Sequence, residues 1–204
     1  MKVALFSLTN DNNKFVGLNT MRYLILAFAM AFLGCGRMSP TTPQQRFDEA
    51  QNELRSAQSE EERFYALNDA AKEGFVLGKT DEARTHAEEL LNLLPKYKDN
   101  WNFGNAVQDA NLVLGRIAVI EGRLDDAKQF LIKAGQSPGS PQMDTFGPNM
   151  SLAKDLLEKG ETDVVLQYFD LCRKFWEMEN GNLDQWTRDV KAGKIPDFGA
   201  NLVY

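Results

Sequence analysis

Apolar positions fall at helical spacing along most of the chain, and the pattern recurs. From Pro43 to about Gln58, the residues Phe47, Ala50, Leu54 and Ala57 form one stripe, which predicts an amphipathic helix with Pro43 in its first turn. Ser59 followed by Glu62 reads as a capping box opening a second helix. Beyond it three segments align without gaps: Gly78-Lys-Thr-Asp-Glu-Ala83, Gly122-Arg-Leu-Asp-Asp-Ala127 and Gly160-Glu-Thr-Asp-Val-Val165. Each follows one amphipathic run and precedes another, so each marks the turn of a helical hairpin. The glycine is expected to take the left-handed conformation that ends the first helix. The Thr or Asp beyond it is expected to cap the second, with acids favoured in that helix's first turn. Seven residues before each glycine stand Ala71, Gly115 and Ala153, small residues suited to close helix approach.

This spacing resembles the tetratricopeptide repeat, whose signature runs W-x2-L-G-x2-Y…A-x3-F…P. The second unit fits best, with Asn111, Leu114, Gly115 and Ala118 followed by Ala127 and Leu131. The first supplies Leu67, Ala70, Ala71, Ala83, Ala87 and Pro95, and the third Leu152, Ala153, Leu156, Val165 and Phe169. The signature's Trp and Tyr positions are mostly lost. Successive glycines are 44 and 38 residues apart rather than the family's 34. Insertions are therefore expected around residues 95–105 and in the Pro/Gly-rich stretch 135–149, which reads as a loop. The resemblance covers roughly residues 60–180. It implies an all-α fold over residues 43–192, a solenoid of about three repeats with flanking helices as covers. The C-terminal cover is a helix from Leu183 to about Ala192, ended by Gly193; the apolar tail 193–204 is expected to pack back on the domain.

The N-terminus reads as an address. Tyr23–Leu33 is an uninterrupted apolar run of eleven residues, whereas a spanning helix needs about 20. With Met21 and Arg22 before it and small residues after it, the run fits a secretory signal. Leu33-Gly34-Cys35 resembles the bacterial lipoprotein cleavage box, with Phe32 where the family usually has Leu; the resemblance implies a mature protein acylated at Cys35. A plain cleaved signal and an uncleaved or buried segment are the alternatives. Residues 1–20 are Asn-rich, and translation from Met21 would make them artefactual. Residues 36–42 read as a tether. The expected location is thus exported and periplasmic, held at the membrane by lipid on Cys35.

Composition narrows the chemistry. The net charge is −6 and clustered Lys/Arg runs are absent, which argues against nucleic-acid binding. Two cysteines, Cys35 and Cys172, are too few for a disulfide scaffold. Cys172 falls at a core-facing position and is expected to be inert; pairing with Cys35 is the alternative if that residue is not acylated. The single histidine, His86, lies in the second helix of the first repeat and reads as a surface or packing residue. No metal-ligand spacing, nucleophile–base set or phosphate-binding glycine loop occurs, so no catalytic residue, metal or cofactor is assigned and no enzymatic activity is expected. The aromatics Tyr168, Phe169, Phe175, Trp176 and Trp186 read as core. Phe-Gly pairs followed by asparagine recur at Phe103-Gly104-Asn105, Phe146-Gly147-Pro148-Asn149 and Phe198-Gly199-Ala200-Asn201, and suggest asparagine caps with phenylalanine staples.

In the tetratricopeptide family the first helices of successive units line a concave groove for extended peptides. Registering the repeats places Lys72, Arg116 and Lys154 at one position, immediately after the small residue, where they would form a basic track. Three solvated side chains are the alternative. Asn68, one turn before Lys72, would donate to a peptide backbone. The function implied is a protein–protein interaction module, with a protein or peptide partner that is acidic or offers a free C-terminus. The resemblance points to small repeat lipoproteins that help assemble bacterial envelope machines. A self-associating structural protein is the rival.

Overall fold

The computed structural model describes residues 42–203. The expected leader, with Cys35, and nearly all of the tether lie outside them. The described residues form nine α-helices and two 3-10 turns, and no β-strand occurs among them. In order they are α1 (Pro43–Ser56), α2 (Glu60–Val76), α3 (Thr80–Leu93), α4 (Phe103–Ile120), α5 (Leu124–Gly135), α6 (Pro141–Phe146), α7 (Ser151–Leu157), α8 (Thr162–Cys172) and α9 (Asn182–Lys191). The 3-10 turns are Leu94–Lys96 and Gly199–Leu202. Among the described helices none is long and apolar enough to cross a membrane.

Local signals account for most boundaries. Thr42 and Gln45 form a full capping box on α1, with Pro43 at its start, and Phe47, Ala50 and Leu54 are buried. Ser59 accepts from the Glu62 N–H, but the Glu62 carboxylate takes the N–H of Gln58 rather than that of Ser59. Only half of the expected box forms there. Gly78, Gly122 and Gly160 have φ of +73°, +75° and +83°, and each closes its helix identically. Its N–H bonds three residues back, to Phe75, Val119 or Leu157. The next N–H bonds five residues back, to Gly74, Ala118 or Leu156.

The expected Thr or Asp caps do not form. Lys79, Arg123 and Glu161 occupy the N-cap positions of α3, α5 and α8 without a side-chain hydrogen bond. The residue that completes the closing motif is already the N-cap of the next helix, so no spare position remains for a capping hydroxyl. The acids Asp81, Asp125 and Asp163 do stand in the first turns, favourably placed against the helix dipole.

Helices adjacent in sequence pack together, α2 on α3, α4 on α5 and α7 on α8. The first helices α2, α4 and α7 also touch in succession, while α1 covers α2 and α9 covers α8. Two clusters of buried side chains result. One holds Phe64, Leu67, Leu90 and Ile117; the other holds Leu131, Leu152, Phe169 and Trp186. Residues of α4 enter both, and most of that helix is buried. Ala71 and Ala153 are buried, and Gly115 has no room for a Cβ beside Leu152 of α7.

The stretch 135–149 is not a plain loop. Ser140 accepts from the Met143 N–H and Pro141 begins α6, a start signal hidden among turn-forming residues. The tail is pinned to the segment before α7. The Asn201 carbonyl accepts from the Met150 N–H at 2.7 Å, and Phe198 is buried against Phe169 and Trp186.

Candidate binding cavity

An open cavity of about 520 Å³ lies on the side of α2 and α4. Tyr65, Asn68, Asp69 and Lys72 of α2 form one wall, and Asn105, Gln108 and Asp109 of α4 form the floor. Trp101, just before α4, stands at the rim and is 59% exposed. The opposite wall is the segment around α6, ending in Phe146 (75% exposed), with the tail residue Asn201 beside it.

Hydrogen bonds hold this lining in place. The Asn105 NH2 donates to Asn102 at 2.9 Å and to Gln142 at 2.7 Å, and its carbonyl accepts from the Ser140 hydroxyl at 2.6 Å. Gln108 donates to the Tyr168 hydroxyl and accepts from the Asn149 N–H. Tyr168, fully buried on α8, donates in turn to the Asn149 carbonyl at 2.9 Å. Asn201 donates to the carbonyls of Phe146 and Pro148, both at 3.0 Å. Buried amides tied to one another in this way fix a rigid surface, because each would be costly left unpaired.

The three Phe-Gly motifs do not share a capping role. Asn149 accepts from the Ser151 N–H at the start of α7, but Asn105 and Asn201 bridge segments instead. Phe146 is exposed and staples nothing, whereas Phe198 is core. What Asn105, Asn149 and Asn201 have in common is the cavity, which all three line. The recurrence was the available sequence signal for this site, and local capping rules could not decode it.

Of the residues expected in the groove, Asn68 and Lys72 line the cavity; Arg116 and Lys154 do not. The Asn68 NH2 donates to Asp109 at 3.1 Å, and its Oδ1 is buried without a partner. Its donor therefore faces this carboxylate rather than a peptide backbone. Lys72 Nζ lies 2.9 Å from Asp69 and 3.3 Å from Asp109. Burial by itself would lower the Lys72 pKa; the Asp109 and Asp69 carboxylates outweigh it and hold the ammonium above the ordinary lysine range. Arg116 binds Asp155 of α7 at 2.7 Å and lies over the Phe75 ring. Lys154 pairs with Glu158 one turn along. The three registered cations thus each meet an acid of this protein and do not present an open basic track. Lys72 and Arg116 clasp successive first helices together.

The remaining candidates behave as packing groups. Cys172 is a fully buried thiol whose pKa is pushed up by burial, against a smaller opposing effect of its Tyr168 hydrogen bond. His86 is half-buried, with Nε2 3.2 Å from the Gln51 amide nitrogen. Among the described residues no group of three His, Cys, Asp or Glu is placed to hold a metal ion. Comparisons with protein-family models, with curated proteins and with solved structures find no match to this protein.

Proposed function

We propose that this protein is a binding module which holds an extended protein segment in the cavity beside α2 and α4. The observation that carries this reading is the lining itself: a rigid floor of amide side chains between two walls, with Trp101 and Phe146 exposed at the rim. Concave sites with convergent polar groups and apolar edges are the usual form of a ligand site. The amides, tied to one another, hold the lining rigid, and aromatic side chains are frequent anchors where a protein partner docks. The three hairpins closed by Gly78, Gly122 and Gly160, with α2, α4 and α7 in succession, support the tetratricopeptide-like arrangement implied by the sequence. The leader supports export, with Cys35 as the lipid attachment point and envelope assembly as the setting.

The test is site-specific photo-crosslinking of the full-length protein in its native envelope. A photoreactive residue at position 101 or 146 should capture a protein partner. The same residue at position 129, on the surface of α5, should not. Equal capture at all three positions, or none at 101 and 146, overturns the reading.

A further inference from the structure

We infer that the cavity is selective for a cationic side chain, a lysine or arginine carried by the bound segment. This rests on the peptide-binding reading above and reverses the polarity that the registered cations suggested. Among the described residues, the charge-bearing side chains lining the cavity are two acids, Asp69 and Asp109, and one base, Lys72. That ammonium sits between the two carboxylates with its side chain 15% exposed, so it has little left to offer an incoming anion. Its bonds use Oδ1 of Asp69 and Oδ2 of Asp109, one oxygen of each. The Asp69 side chain is 57% exposed and open to a ligand. The described lining therefore carries one acid more than its bases balance, in a protein whose own net charge is −6. An acidic ligand would be repelled by both.

The aromatic wall points the same way. Tyr65 and Asp69 stand one helical turn apart on α2, so both lie on one face of it. The Tyr65 ring stacks on Trp101, with centroids 5.9 Å apart and planes 24° apart. An exposed indole lining the same cavity as a carboxylate suits a guanidinium or ammonium, which gains from the ring's quadrupole and from the charge together. The amide NH2 groups of Asn105, Gln108 and Asn201 are already engaged within the protein, which leaves few donors for an anion.

The test uses the full-length protein in a non-ionic detergent and three pools of labelled ten-residue peptides. Their central residue is Arg, Glu or Gln, and their flanks are drawn from uncharged residues. Fluorescence anisotropy at low salt should rank affinity Arg over Gln over Glu, with about fivefold between the first two, the scale of one partly exposed charge pair. Added salt should shrink the difference. Asp69→Asn should abolish the Arg preference, so that the Arg and Gln pools bind alike. Trp101→Ala, at an exposed site, should weaken the Arg pool, and circular dichroism should show both variants folded. Equal binding of Arg and Gln pools, or an Arg preference that survives Asp69→Asn, overturns the inference and leaves the peptide-binding reading standing. Tighter binding of the Glu pool also overturns it and restores an acidic partner. Failure of all three pools overturns both readings.

Discussion

Gly104 in the first turn of α4 lies directly against the carbonyl of Gly139, so a Cβ on Gly104 would overlap the Gly139 backbone. The Ser137 hydroxyl secures the same junction, donating to the Gly104 carbonyl at 2.8 Å and accepting from the Gly139 N–H at 3.1 Å. This contact brings the segment carrying α6 onto α4 and so builds the far wall of the cavity. Gly104→Ala should destabilise the fold by about 1–3 kcal/mol through overpacking, well beyond the helix propensity it gains. Backbone, unlike a side-chain end, cannot swing aside. The denaturant midpoint reports the loss, and crosslinking from position 146 should fall with it. An unchanged midpoint would show that the 137–149 segment docks differently.

The turn glycines offer a contrasting case. A Cβ on Gly122 would meet nothing within 4 Å, yet its φ is +75°. Gly122→Ala should therefore cost about 1 kcal/mol from backbone strain alone. Gly78→Ala and Gly160→Ala should cost similar amounts, because they occupy the same motif in the same surroundings. Urea titrations of the three single variants and the triple variant check this, since distant sites should add.

The registered cations should differ sharply in energetic weight. Lys72→Met leaves Asp109, a largely buried carboxylate, with only the Asn68 amide of its two partners. The expected loss is about 3 kcal/mol, the low end of the range for breaking a buried pair, since neither side chain is fully buried. Lys154→Met removes a half-exposed pair within one helix and should cost under about 0.5 kcal/mol. Thermal melts of the two variants, run side by side, distinguish a clasp from a solvated charge. Equal shifts would argue that Lys72 is not a clasp.

Acid sensitivity should include a histidine step. Burial lowers the His86 pKa, helped by Arg63 and opposed by Glu82 and Glu89. The Gln51 amide nitrogen, a donor only, lies 3.2 Å from Nε2 and suits a neutral ring that accepts there. The unfolded protein therefore takes up the proton more readily. The stability associated with neutral His86 is complete above about pH 6.5 and is lost as pH falls through the folded pKa below it. His86→Gln should flatten that part of the profile. Stability of both proteins measured between pH 7 and pH 5 provides the check; parallel curves would exclude His86 as the source.

Helices, their turns and much of the burial were legible from local sequence. They depend on neighbours three to seven residues away: a glycine at the left-handed position, an apolar stripe, a proline in a helix's first turn. Even so, the short α6 was hidden, because Ser140 and Pro141 serve a turn as readily as a helix start. What the charged and amide side chains do emerged only from the folded arrangement. Lys72 and Arg116 share a repeat position, but their partners Asp109 and Asp155 come from α4 and α7, 37 and 39 residues further along. Asn105, Asn149 and Asn201 converge on one cavity only because Gly104 admits the Gly139 carbonyl and the tail bonds to the segment before α7. A side chain's charge is written in its residue type. Whether that charge is available to a ligand depends on which acid the fold sets beside it, and that contact is long-range.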